Sequence, residues 1–139
     1  MTRASRSPGM MTMQPNGDSV RFREAVEVLS RDLGPGGLSD ILDSYLTDTR
    51  SRMELLSQFS RAGDLPALAR CAHSIQGGSA IFGLQELKQA ALEVELAARP
   101  PGGGQLGALI ADLQARYRAL EPMLLAARPE DPEIRGPGA

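Results

Sequence analysis

His73 is the only histidine in the chain, and it sits in the run Ala72-His73-Ser74-Ile75-Gln76-Gly77-Gly78-Ser79-Ala80-Ile81-Phe82-Gly83. An imidazole near neutral pH is a nucleophile, a proton carrier or a metal ligand. Gly77 and Gly78 follow it by one turn, in a stretch that otherwise reads as helix. Each costs a helix interior roughly 1 kcal/mol relative to alanine. Keeping both leaves bare backbone beside the ring. The simplest reading is a histidine on an exposed helical face, with room cleared for another molecule. That arrangement points to transfer chemistry more than to packing.

Other chemistries find less support. His73 and Cys71 lie two residues apart and do not face the same way on a helix, and no further soft ligands accompany them, so no metal site is expected. Cys71 reads as a small packing residue. No Gly-rich loop follows a strand, so an ATP site is not expected, and the chain is not expected to be a kinase by itself. No resident cofactor is implied.

Five helical segments would carry these residues. Val20 to Leu33 is apolar at Val20, Phe22, Ala25, Val26, Val28 and Leu29, with Asp18 or Ser19 as its cap and Gly34-Pro35-Gly36-Gly37 ending it. Leu38 to Arg61 places Leu38, Leu42, Tyr45, Leu46, Thr49, Met53, Leu56 and Phe59 at 3–4 spacing. Asp64 caps a third helix, Leu65 to Phe82, with Pro66 tolerated in its first turn. Its stripe is Leu65, Leu68, Ala72, Ile75, Ser79 and Phe82, and Gly83 suits its C-terminus. Leu84 to Ala98 repeats Leu84, Leu87, Ala91, Val94 and Ala98 before Pro100-Pro101-Gly102-Gly103-Gly104 breaks it. Gln105 to Ala127 turns Leu106, Leu109, Leu113, Tyr117, Leu120 and Leu124 inward, with a kink or fraying expected at Pro122. No segment alternates with period two. The expected fold is all-α: an antiparallel up-down-up-down four-helix bundle with an additional short N-terminal helix. Residues 1–18 and 129–139 read as disordered tails flanking one domain at 19–128.

On this wheel His73 lies about 100° from Ala72 and about 160° from Ile75, hence outward. Ala69, Arg70, Gln76, Gly77 and Ala80 share its face. Counting from the Gly83 turn puts Glu93 and Glu95 of the next helix at its height. Glu95 adjoins the buried Val94 and so flanks the seam. A carboxylate there would accept from one ring nitrogen and leave the other as nucleophile. Counting from the Gly63 turn brings Arg50 and Arg52 close.

Composition narrows the partners. The 139 residues suit one domain. A net charge of −2 without a basic stripe argues against nucleic acid. No apolar run is long enough to span a membrane, and Met1 to Asp18 holds no secretory h-region. One cysteine fits a reducing cytoplasm.

The run from Ala72 to Ala80, closed by Phe82-Gly83-Leu84, resembles the histidine-containing phosphotransfer (HPt) domain, particularly the first domain of chemotaxis-type histidine kinases. His73, Ile75, Gly77, Gly78, Ser79 and Gly83 match the family pattern, and Val94-Glu95 matches the Leu-Glu pair of its next helix. The resemblance covers about residues 36–126. It implies a phosphorelay intermediate in a two-component system. His73 would take a phosphoryl group from a histidine kinase or a receiver-domain aspartate and pass it to a response-regulator aspartate. Glu95 would orient the ring and Gly77 would clear space. Gln76, Arg70, Ala80 and Arg50 would complete the site and its docking face, and Mg²⁺ would come with the receiver. The departure is Gln76, where the family usually has Lys; Arg70, Arg50 or Lys88 offers compensating charge.

Blander readings stand beside these. His73 would be an incidental surface residue, and Gly77 and Gly78 would serve helix packing, Gly78 more so because it lies nearer the core. Glu95 and the arginines would be solvated. Two alternative functions follow: a degenerate HPt-like module that docks on a receiver or kinase without being phosphorylated, or a helical adaptor unrelated to signalling. The bundle is expected to be a monomer.

Overall fold

The computed structural model describes residues 17–100 and 105–129. Among them every regular element is a helix: α1 (Gly17–Ala62), α2 (Leu65–Ile81), α3 (Gln85–Ala98) and α4 (Leu106–Ala126). The tails expected at residues 1–16 and 130–139, and the breaker at residues 101–104, lie outside the described residues. Gly17 and Asp18, read from the sequence as the end of the tail, belong to α1, and Asp18 is buried.

The span labelled α1 holds the two helical segments expected, joined across a break at Gly34. Its helical geometry fails at one residue, Gly34, with φ 74° and ψ 172°. The reason is the Gly34-Pro35 step. Proline drives the residue before it out of the α region, and glycine takes up the positive φ at little cost. Proline itself is tolerated at a helix start, where its missing N–H has no partner to lose. The four-residue breaker thus reduces to a one-residue kink, and Pro35, Gly36 and Gly37 are helical.

The later boundaries follow local chemistry. Asp64 accepts from the Ala67 amide at 3.2 Å and caps α2. At the other end Gly83 has φ 70°, and the amide of Leu84 reaches back to the Ser79 carbonyl at 3.0 Å. Any side chain at Gly83 would begin 2.9 Å from the Arg21 carbonyl oxygen, so glycine is needed there on two counts. Helix α4 continues through Pro122 to Ala126.

Leu84 precedes α3 without a side chain able to cap it. The cap comes instead from α1. The Asp18 carboxylate accepts from the Glu86 amide at 2.9 Å and from the Leu87 amide at 3.2 Å. It also pairs with Arg21 at 2.9 Å, and Arg21 donates to the Gly83 carbonyl at 3.3 Å. The expectation that Asp18 caps its own helix is therefore replaced by a cap in trans.

Helix α2 packs on α1 and α3, and α4 packs on α3 and α1. The core is aliphatic, with Leu42, Leu56, Leu68, Leu84, Val94, Leu113 and Leu124 fully buried. Phe82 stacks between Phe22 and Tyr45, with ring centroids 6.0 Å and 5.2 Å away. The Tyr45 hydroxyl and the Ser79 Oγ hydrogen-bond at 3.0 Å within this core. The stripes of α2, α3 and the second segment of α1 are buried, except that Leu65 is 41% exposed and Phe59 is half-buried. The first segment of α1 buries only Phe22 of its expected stripe, Val20 and Val28 being exposed, and in α4 Leu106, Leu109 and Leu120 are half-buried while Ile110 is buried.

Candidate functional site

His73 projects from the middle of α2 with 72% of its side chain exposed. Its Nδ1 lies 3.3 Å from Oε1 of Glu95 on α3. The Glu95 carboxylate is nearly closed off, with 9% of its side chain exposed. Three side chains satisfy it. His73 and Gln76 share Oε1, the Gln76 Nε2 donating at 2.6 Å. Arg99 takes Oε2 with Nε at 3.2 Å and Nη2 at 2.5 Å. Gln76 is steadied in turn by the carbonyl of Ala72, at 3.4 Å.

The electrostatics favour an ionised Glu95. Desolvation pushes its carboxyl upward, but the hydrogen bonds from Arg99, Gln76 and His73, with the Arg99 charge, outweigh it and hold it below the usual carboxylate range. An ionised carboxylate can only accept. A neutral ring facing that carboxylate donates from Nδ1, which leaves the Nε2 lone pair free.

The two glycines divide the work. A side chain added at Gly77 would meet nothing within 4 Å, so no intramolecular packing calls for glycine there. One added at Gly78 would begin 3.1 Å from the Tyr45 ring, and that glycine serves the α1–α2 contact. Gly77 is exposed, so bare backbone faces solvent one turn beyond His73.

The family model for the Hpt domain matches residues 40–126. The chain belongs to the Hpt family. Membership places it in two-component phosphorelay, in a family of phosphotransfer carriers that generally have no kinase activity of their own. The Hpt match begins within α1 and ends with α4; the segment of α1 before the Gly34 kink lies outside it. Comparison with curated proteins and with solved structures gives no match.

The remaining candidates sort themselves around this Hpt centre. Ala80 is exposed on the same helix, whereas Ala69, expected on that face, is buried in the core. Arg70 is exposed and borders a cavity of about 450 Å³ between the start of α2 and the end of α3, which Arg99 also lines. Arg50 is not gathered with them. It turns to α4 and pairs with Glu121, which also accepts from the Tyr117 hydroxyl at 2.9 Å. The neighbouring Arg52 carbonyl accepts from Cys71 Sγ at 3.5 Å. Arg52 pairs with Asp48 of its own helix at 4.0 Å. Glu93 lies on the side of α3 that faces Asp112 and Arg116 of α4.

Arg99 is the residue the sequence reading missed. A signal existed: Glu95 and Arg99 stand four apart with the acid first, the favourable order for a helical pair. Cys71 is buried, and desolvation raises its thiol despite nearby Arg52, which suits packing rather than reactivity. Among the described residues no group of three His, Cys, Asp or Glu side chains is placed to hold a metal, and no helix is long and apolar enough to cross a membrane.

Proposed function

We propose that the chain is a phosphorelay intermediate that carries a phosphoryl group on Nε2 of His73. The group arrives from a histidine kinase or a receiver aspartate and leaves to a response-regulator receiver aspartate. The observation that carries this reading is the exposed His73 ring, held at Nδ1 by a nearly buried, ionised Glu95.

The transfer balances on the ring itself. The Nε2 lone pair attacks phosphorus of an aspartyl phosphate, the N–P bond forms, and the P–O bond breaks. Its electron pair leaves with the aspartate carboxylate. The proton on Nδ1 stays where it is, and the positive charge that develops on the ring faces the Glu95 carboxylate. The reverse passage uses the same contacts. Catalysis is mostly positioning and electrostatics, as in phosphoryl transfer generally.

Gly77 and Ala80, with Arg70 at the edge, form the face a receiver would meet. Mg²⁺ belongs to that receiver, and this chain needs no cofactor of its own. The domain spans about 17–128, so as to include Asp18, and works as a cytoplasmic monomer. Its layout is the antiparallel up-down-up-down bundle, with the first segment of α1 as the additional helix. Paired contacts support that layout: Arg50 with Glu121 and Ser57 with Gln114 on one seam, Tyr45 with Ser79 and Arg52 with Cys71 on another.

The experiment is phosphate transfer from a panel of phosphorylated receivers and histidine kinases to the wild type and to His73→Ala. Acid-labile, alkali-stable label on the wild type alone supports the carrier. The second reading, a docking module that regulates without phosphate, draws on Gln76, a neutral amide committed to Glu95 at the place where the family usually has lysine. It expects partner binding that His73→Ala leaves intact, with no label from any donor.

A further inference from the structure

Glu95 and its arginine make an unusual pair for a helix surface. Arg99 sits at the C-terminal boundary of α3, four residues after Glu95. Another arginine in this chain makes the same i,i+4 contact: Arg116 with Asp112 on α4, at 2.8 Å. There both partners are about half-exposed, at 49% and 48%, and such a pair contributes little. The Glu95 carboxylate is 9% exposed, and Arg99 engages its Oε2 through two nitrogens. Without Arg99 that oxygen would be left nearly buried, with no donor to replace the guanidinium.

The geometry also divides the carboxylate in two. Arg99 occupies Oε2 from its own helix, which leaves Oε1 to face α2 and receive His73 and Gln76. Two guanidinium nitrogens on the one oxygen hold Oε2 on the α3 side, a grip that a single point charge does not give.

On the reading of His73 as phosphoacceptor, we infer that Arg99 is a positioning residue for the transfer: it holds Glu95 charged and turned toward His73, and so fixes the ring tautomer from one residue away. It takes part of the work that the family's lysine does beside the histidine, by acting on the carboxylate instead of on the phosphoryl group. The charged or titratable groups that face Glu95 are His73 from α2 and Arg99 from α3, with the neutral Gln76 amide between them; among the described residues, α1 and α4 supply no partner to its hydrogen bonds.

The test compares wild type, Arg99→Gln, Arg99→Lys and the control Arg116→Gln, each checked for helical content. Arg99→Gln should slow phosphoryl transfer to His73 about tenfold near neutral pH, the rate equivalent of one charge-assisted hydrogen bond. It should also raise the pH at which Glu95 titrates, read from its carboxyl carbon shift, because Glu95 loses the charge that keeps it ionised. Arg99→Lys should restore that titration more fully than the rate, and Arg116→Gln should match the wild type. Nitrogen chemical shifts of the His73 ring give a readout independent of phosphate: one tautomer, protonated at Nδ1, in the wild type and a mixture in Arg99→Gln. A wild-type rate, Glu95 titration and tautomer in Arg99→Gln overturns the inference. If the wild type takes no label at all, the carrier reading falls, and the tautomer comparison still decides the role of Arg99.

Discussion

One edge of the Tyr45 ring lies against the backbone of Gly78, two of its carbons 3.1 Å from the point where a side chain would begin. Gly77, the preceding residue, has open space at the same point. Tyr45 cannot easily withdraw, since its hydroxyl meets Ser79 and its ring meets Phe82. The two alanine variants should therefore differ in sign. Gly77→Ala should stabilise the isolated protein by about 0.5–1 kcal/mol, the helix propensity gained. Gly78→Ala should destabilise it by about 1 kcal/mol, because overpacking exceeds that gain. Urea denaturation of both decides the matter; equal stabilisation would mean that the Tyr45 contact is slack.

Asp18 should behave as a cap despite its distance along the chain. Asp18→Ala should cost about 1–2 kcal/mol, at the upper end for a lost cap because two amides of α3 lose their acceptor. Amide exchange gives the local readout, with Glu86 and Leu87 losing protection first. Unchanged exchange at those two amides would show that α3 is capped by some other group.

Stability should rise with pH through the acidic range. Glu121 is held below the usual carboxylate range by the hydrogen bond from Arg50, assisted by Tyr117, against desolvation. Glu95 is held low against its desolvation by Arg99, Gln76 and His73. For both groups the unfolded chain binds protons more readily than the folded one. Their stabilisation is complete above the ordinary carboxylate range and is lost as pH falls through the depressed folded values. Glu95→Gln and Glu121→Gln should each flatten the acid limb of a stability–pH curve. A limb as steep in the double variant as in the wild type would assign acid unfolding to other carboxylates.

Gln76→Lys should keep or raise phosphate labelling. The new ammonium can reach the carboxylate that Gln76 now serves, and it adds charge beside the incoming phosphoryl group. Complete loss of label in a folded variant would mean that the amide at 76 does something a cation cannot.

Residues at helical spacing carried most of the fold in the sequence. The stripe Leu84, Leu87, Ala91, Val94, Ala98 is buried throughout, because one apolar face per turn leaves only one way to pack it. The His73–Glu95 contact was also legible, since two helices joined at Gly83 place equal counts from the turn at equal height. Arg50 shows where this fails. Height along a helix is set by residue number, but side is set by which neighbour claims the flank, and Glu121 lies 71 positions away. The break at Gly34 was legible, but its length was not. Turn-forming residues announce a break but not its length, and proline and glycine both fit a helix's first turn once a single residue has absorbed the change of direction. Arg99 went unseen because the worth of a Glu–Arg pair depends on burial, which spacing alone does not give.

Asp18 and the two amides it serves are separated by nearly the whole of α1 and α2. The helix so started is the one that carries Glu95. A fragment cut at residues 40–126, the span by which the chain is recognised, would keep every residue around His73 and discard the acceptor on which the first turn of α3 depends. The span that similarity delimits thus leaves out a group that the packed structure uses.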